Sequence, residues 1–100
     1  MNKIREALEY LDGGGLWIKG DFEGPDGTCC LLGALDVVGA EILGREESAV
    51  EDTIREQYPD RFNPYGNLRP VAMFNDDLRT TWLDAERVMK KAAMKLDELV

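Results

Sequence analysis

A mainly α, single-domain fold of four helices is predicted by three features of the sequence. Apolar residues recur at helical spacing near both ends of the chain, and Gly and Pro punctuate the stretches between. One hundred residues, 44% of them apolar, suffice for one hydrophobic core and no more, so residues 1–100 are expected to form a single globular domain.

Residues 2–12 place Ile4, Ala7, Leu8 and Leu11 at i, i+3, i+4 and i+7, the pattern of an amphipathic helix, and Gly13, Gly14 and Gly15 are expected to stop it. From Leu16 to Thr28 the chain sets Trp17, Ile18 and Phe22 among the turn formers Gly20, Gly24, Pro25 and Gly27. This predicts a long packed loop, with room for a short strand pair near residues 16–24. Thr28 is the expected cap of a central helix from Cys29 to Leu43, with Gly33 and Gly39 inside it against close-packed neighbours and Gly44 as its stop.

A third helix, Glu46 to Tyr58, turns Val50, Ile54 and Tyr58 inward and Glu46, Glu47, Glu51, Asp52 and Glu56 outward. Residues 59–80 hold Pro59, Pro64, Gly66 and Pro70 between apolar side chains, which predicts a second packed loop lying over the core. Thr81 and Asp84 have the spacing of a capping box. The face of Trp82, Ala85, Val88, Met89, Ala92, Leu96 and Leu99 then carries helix four to the end.

Composition excludes several function classes. No apolar run approaches the roughly 20 residues that span a bilayer, and the first residues lack the apolar core of a secretion signal, so the cytoplasm is the expected location. Cys29 and Cys30 are adjacent, and helical neighbours point about 100° apart, so both are read as free thiols. Without histidine the chain lacks the set for a structural zinc site, and neither a metal nor a cofactor is expected. Twelve basic against twenty acidic residues, a net charge of −8, argue against binding a phosphate backbone. The imbalance is uneven: residues 1–60 carry 5 basic and 14 acidic groups, a net −9, and residues 61–100 carry 7 and 6, a net +1.

Three groups invite a chemical reading. A cysteine in the first turn of a helix is activated by the free N–H groups there, but a cysteine nucleophile normally needs a base, and the usual one, histidine, is missing; Cys29 and Cys30 are therefore read as small core side chains. Asp21, Glu23 and Asp26 stand among glycines but lack the pattern of an EF-hand loop, which favours a solvated turn. Asn75 and Asp76 are expected to accept hydrogen bonds in the loop entering helix four rather than to act as an acid pair, and Trp17 and Trp82 to anchor the core.

Trp17-x-x-Gly20, then Cys30-x-x-Gly33-Ala34-Leu35, then Phe74-Asn75-Asp76 ahead of the threonines Thr80 and Thr81, together resemble a family of small uncharacterised proteins of actinobacteria and their bacteriophages. Its pattern is W-x-x-G, C-x-x-G-A-L and W/F-N-D, and the likeness spans residues 17–95, with Cys29 beside Cys30 as a departure. The resemblance implies an intracellular phage or actinobacterial origin and a compact helical fold. It implies no specific activity.

The expected function is non-enzymatic: binding to a host protein, with the carboxylates Glu46, Glu47, Glu51, Asp52 and Glu56 as an acidic face suited to a basic partner. The alternatives are self-assembly through an apolar patch, sequestration of a small ligand by Arg61, Arg69 and Arg79, and mimicry of DNA by the acidic helices.

Overall fold

The computed structural model describes residues 2–41, 43–59 and 69–98, and among these the chain forms five helices rather than four. Helix α1 spans Lys3–Tyr10, α2 Leu31–Val37, α3 Arg45–Gln57, α4 Pro70–Asp76 and α5 Trp82–Glu98. Helix α5 packs along α1 on one side and α3 on the other, while α2 bridges α1 and α4, and α4 closes against α3. Ile4, Leu11, Leu31, Val50, Ile54, Phe74 and Met89 are fully buried where these helices meet. Each such side chain contributes about 1.5–3 kcal/mol by leaving water. No helix among the described residues is long and apolar enough to cross a membrane.

The ends of the chain form as their patterns predict. Asn2 caps α1, its side-chain oxygen accepting from the Arg5 N–H at 3.1 Å, and the same side chain donates to the Ala93 carbonyl and to Asp97, fastening α1 to α5. Thr81 and Asp84 make the reciprocal capping box: the Thr81 N–H donates to Asp84 Oδ2 at 3.0 Å, and the Asp84 N–H to Thr81 Oγ1 at 3.3 Å. Ala85, Val88, Met89, Ala92 and Leu96 are buried along α5. Leu99, expected on the same face, lies outside the described residues.

The middle of the chain departs from expectation in five places. The strand pair expected near 16–24 is replaced by two isolated bridges, Trp17 with Cys29 and Glu23 with Cys29. Only three residues, Asp21, Phe22 and Glu23, separate Gly20 from Gly24, fewer than the roughly five or six of a usual strand. Because Cys29 is held in those bridges, α2 starts only after Cys30, whose sulfur accepts from the Gly33 N–H at 3.4 Å as the cap; Thr28 instead donates its hydroxyl to the Pro25 carbonyl.

The central helix also ends early. Gly39 has φ +87°, and the Ala40 N–H reaches the Leu35 carbonyl while the Gly39 N–H reaches that of Asp36, the paired bonds of a Schellman stop. Gly39 is therefore a terminator rather than an interior glycine, and Gly44 caps the start of α3.

Residues 59–80, expected to be a loop throughout, contain α4. Pro70 opens that helix at its first turn, where no N–H is required. The remainder of that expected loop, residues 60–68, lies outside the described residues. On α3, finally, Glu47 does not face outward: it is 3% exposed. Its carboxylate accepts from the Leu43 N–H and from two nitrogens of the Arg69 guanidinium, Nε at 3.1 Å and Nη2.

Candidate functional site

The three short motifs, separated in sequence, converge on one side chain. Asn75, in the last turn of α4, is completely buried. Its Oδ1 accepts from the Trp17 indole N–H at 2.6 Å and from the Leu31 backbone N–H at 3.0 Å. Its Nδ2 donates to the Ile18 carbonyl and to Asp76 Oδ1, both at 3.0 Å. A carboxamide can accept two hydrogen bonds and donate two, and Asn75 makes all four. The Leu31 N–H is one of the donors that the start of α2 leaves unpaired, so the bond to Asn75 serves the helix end as well as the loop.

Around this junction each motif residue has a mechanical task. Asp76 Oδ1 also accepts from the Gly20 N–H at 2.8 Å, closing the W-x-x-G turn onto α4. Trp17 packs its ring against Trp82 with centroids 5.8 Å apart, tying the loop to α5. Phe74 is buried against Tyr58, with ring centroids at 5.3 Å. Gly33 and Ala34 are buried in α2, and a Cβ added at Gly33 would stand 2.2 Å from the Phe22 carbonyl oxygen, so only glycine lets the loop lie this close.

Asn75 and Asp76 thus do not organise the entry to α5, as expected from sequence; that task falls to Thr81 and Asp84. The sequence reading also missed Lys19. Its ammonium donates to the Asp77 and Thr80 carbonyls, each at 2.6 Å, and lies 5.6 Å from the Trp17 ring centre. A lysine between a tryptophan and a glycine carries no local signal that it will hold a turn some sixty residues away.

The two thiols at the junction are buried. Burial pushes the Cys29 thiol up to about 11, with the neighbouring Cys30 and Glu23 acting in the same direction, so it is protonated at neutral pH. Cys30 is buried and uses its sulfur as an acceptor. The cavity beside Cys30, lined also by Gly20, Phe22, Leu32, Ala72 and Asp76, has a volume of 120 Å³. Small-molecule pockets usually run to about 300–1,000 Å³, so this space suits a few waters.

The other sequence-stated groups are dispersed or paired. Among the described residues no three His, Cys, Asp or Glu side chains stand together as a metal site would require, Asp21, Glu23 and Asp26 included. Arg69 is held by Glu47 and Arg79 by Asp77, while Arg61 lies outside the described residues. On α3, Glu51 pairs with Arg55 at 3.4 Å and Glu56 with Lys95 at 2.8 Å. The Lys95 ammonium beside it holds the Glu56 carboxyl below its ordinary value. Glu46 and Asp52 complete the acidic set expected there, Asp52 exposed and Glu46 half-buried.

Helices and junction define a small α-helical domain braced by a buried asparagine. The chain belongs to the Family of unknown function (DUF6197), whose model matches residues 2–95. No curated protein and no solved structure gives a significant match.

Proposed function

We propose that the protein is a non-enzymatic binding module that occupies a surface of a host protein in an actinobacterial or phage-infected cell. The observation that carries this reading is where the polar and apolar groups are spent. The motif side chains that carry polar or thiol chemistry, Asn75, Asp76 and Cys30, are committed to internal hydrogen bonds. Large apolar side chains, by contrast, face solvent: Leu83 is 66% exposed and Met94 55%. Exposed apolar groups of this kind, when they share a face, mark interaction sites more often than catalytic ones.

The pairing of Arg69 and Arg79 with carboxylates lowers the weight of small-ligand capture, and the pairing of Glu47, Glu51 and Glu56 lowers that of DNA mimicry. A net charge of −8 still favours long-range encounter with a basic partner.

The test is affinity capture of the tagged, full-length chain from actinobacterial lysate at low and moderate salt, with mass spectrometry of what is retained. One stoichiometric partner supports the reading. An empty capture under gentle conditions, with light scattering showing a multiple of the monomer mass, would replace it with self-assembly.

A further inference from the structure

The outward face of α5 carries a regular stripe. Leu83, Arg87, Lys90 and Met94 follow one another at i, i+4, i+7 and i+11, on the side of the helix opposite the buried Ala85, Val88, Met89, Ala92 and Leu96. At its C-terminal end the stripe borders a groove of 580 Å³ between α5 and α1, lined by Arg5, Leu8, Glu9, Lys90 and Met94. The surface is apolar at both ends and basic in the middle, on a molecule whose net charge is −8.

We infer, building on the binding-module reading, that this α1–α5 face seats an acidic amphipathic helix of the partner protein, its apolar residues on Leu83, Met94 and Leu8 and its carboxylates against Arg87 and Lys90. Three features point to that occupant. The spacing of the stripe is that of a helix laid along a helix, with anchors one to three turns apart. The basic groups are only loosely engaged at home: Arg87 stands 3.9 Å from Asp84, and Lys90 3.7 Å from Glu86, both with side chains more than 60% exposed. Such exposed surface pairs contribute little to stability, so a partner carboxylate replaces them readily.

The third feature disfavours a second copy of this chain. Antiparallel pairing of two α5 stripes would set Leu83 on Met94 of the other copy but also Arg87 on its Lys90. Parallel pairing would set each basic residue on itself. Either arrangement places like charges at the centre of the contact, which a partner with carboxylates there avoids.

The test titrates the ¹⁵N-labelled full-length chain with a helical peptide carrying Leu, Glu, Glu and Leu at i, i+4, i+7 and i+11, and with the same peptide carrying Lys for both Glu. The acidic peptide is expected to shift the amide signals of Leu8, Leu83, Lys90 and Met94 and to bind at least about tenfold more tightly than the basic one. The double variant Arg87→Glu/Lys90→Glu, checked to melt like the parent, should reverse that preference. Equal binding of the two peptides, or shifts mapping to other helices, overturns the assignment of this face.

Lysate capture with parent and double variant separates the two levels of the argument. A partner retained equally by both leaves the binding module standing and removes the α1–α5 face. A partner lost with the double variant and displaced by the acidic peptide supports both, and no partner for either chain, together with no peptide binding, removes both. A dimer mass that the double variant abolishes would put a second copy on this face and overturn the proposal.

Discussion

The indole N–H of Trp17 and the side-chain oxygen of Asn75, 58 residues apart in sequence, meet at 2.6 Å, and the same oxygen accepts the Leu31 N–H that opens α2. One carboxamide therefore sets the position of a loop, the start of one helix and the end of another.

Replacing Asn75 by Ala leaves the Leu31 N–H and the Trp17 indole without their acceptor and the Ile18 carbonyl without its donor. Each buried group left unsatisfied costs about 1–3 kcal/mol, and because two of these three contacts are only partly buried the expected loss is at the low end, about 3–5 kcal/mol, read from chemical denaturation. Trp17→Phe keeps a ring against Trp82 and loses only the N–H, so about 1–2 kcal/mol is expected; Trp17→Ala also loses the ring and should cost about 3–5. Equal stabilities for parent and Asn75→Ala would remove the junction from the account.

Gly33→Ala would ordinarily gain about 1 kcal/mol in a helix. Here the added methyl meets the Phe22 carbonyl oxygen at 2.2 Å and Cys29 Cβ at 2.8 Å, and the backbone on the other side must move. The expected result is a net loss of about 1–3 kcal/mol and amide shift changes reaching residues 20–24, a region far from Gly33 in sequence. A melting temperature raised by this substitution would show that the loop does not lie on α2 as described.

The raised Cys29 thiol makes a pH-dependent claim. In the unfolded chain it ionises near 9.0, and in the folded protein near 11, so between these values the folded state holds the extra proton. Stability from this group is complete below pH 9 and declines as pH rises toward 11. Melting temperatures measured across that range should fall more steeply for the parent than for Cys29→Ala. At pH 7.5 iodoacetamide should modify Cys29 only after denaturant is added; rapid modification of the native chain counts against its burial.

The Asp97 carboxyl is lowered, first by hydrogen bonds from Arg5 and then by one from Asn2. Its contribution is present above the ordinary carboxylate range and fades as pH falls through the lowered value. Carbon NMR titration should find Asp97 titrating below the ordinary aspartate value, with Arg5→Gln returning it upward. An Asp97 titration unaffected by Arg5→Gln would break the link between α1 and the end of α5.

The parts of this fold that were legible in the sequence are those held by neighbours in the chain. The start of α5 was visible because Thr81 and Asp84 bond each other, and its inward face because Ala85, Val88, Met89, Ala92 and Leu96 share one side. Helix α4 was hidden by its proline: Pro70 reads as a breaker unless it is known to occupy the first turn. Gly39 looked like an interior glycine because nothing local distinguishes a glycine at φ +87° from a packed one.

The roles of individual polar side chains were harder still. Helical periodicity assigned Glu47 to the acidic face, but its partner Arg69 comes 22 residues later and draws the carboxylate inward. Asn75 had the appearance of a cap residue, which any asparagine near a helix end has. Its four bonds reach Trp17, Ile18, Leu31 and Asp76, and three of those partners could be named only once the chain was folded.

The most direct measurement of the junction is hydrogen exchange of the Trp17 indole N–H in the unmodified protein, followed by ¹H–¹⁵N NMR. Bonded to buried Asn75, that proton should exchange only through large-scale opening, at a rate matching the Leu31 amide. Exchange as fast as that of a solvated indole, while the Leu31 amide stays protected, would contradict a brace in which one asparagine holds both.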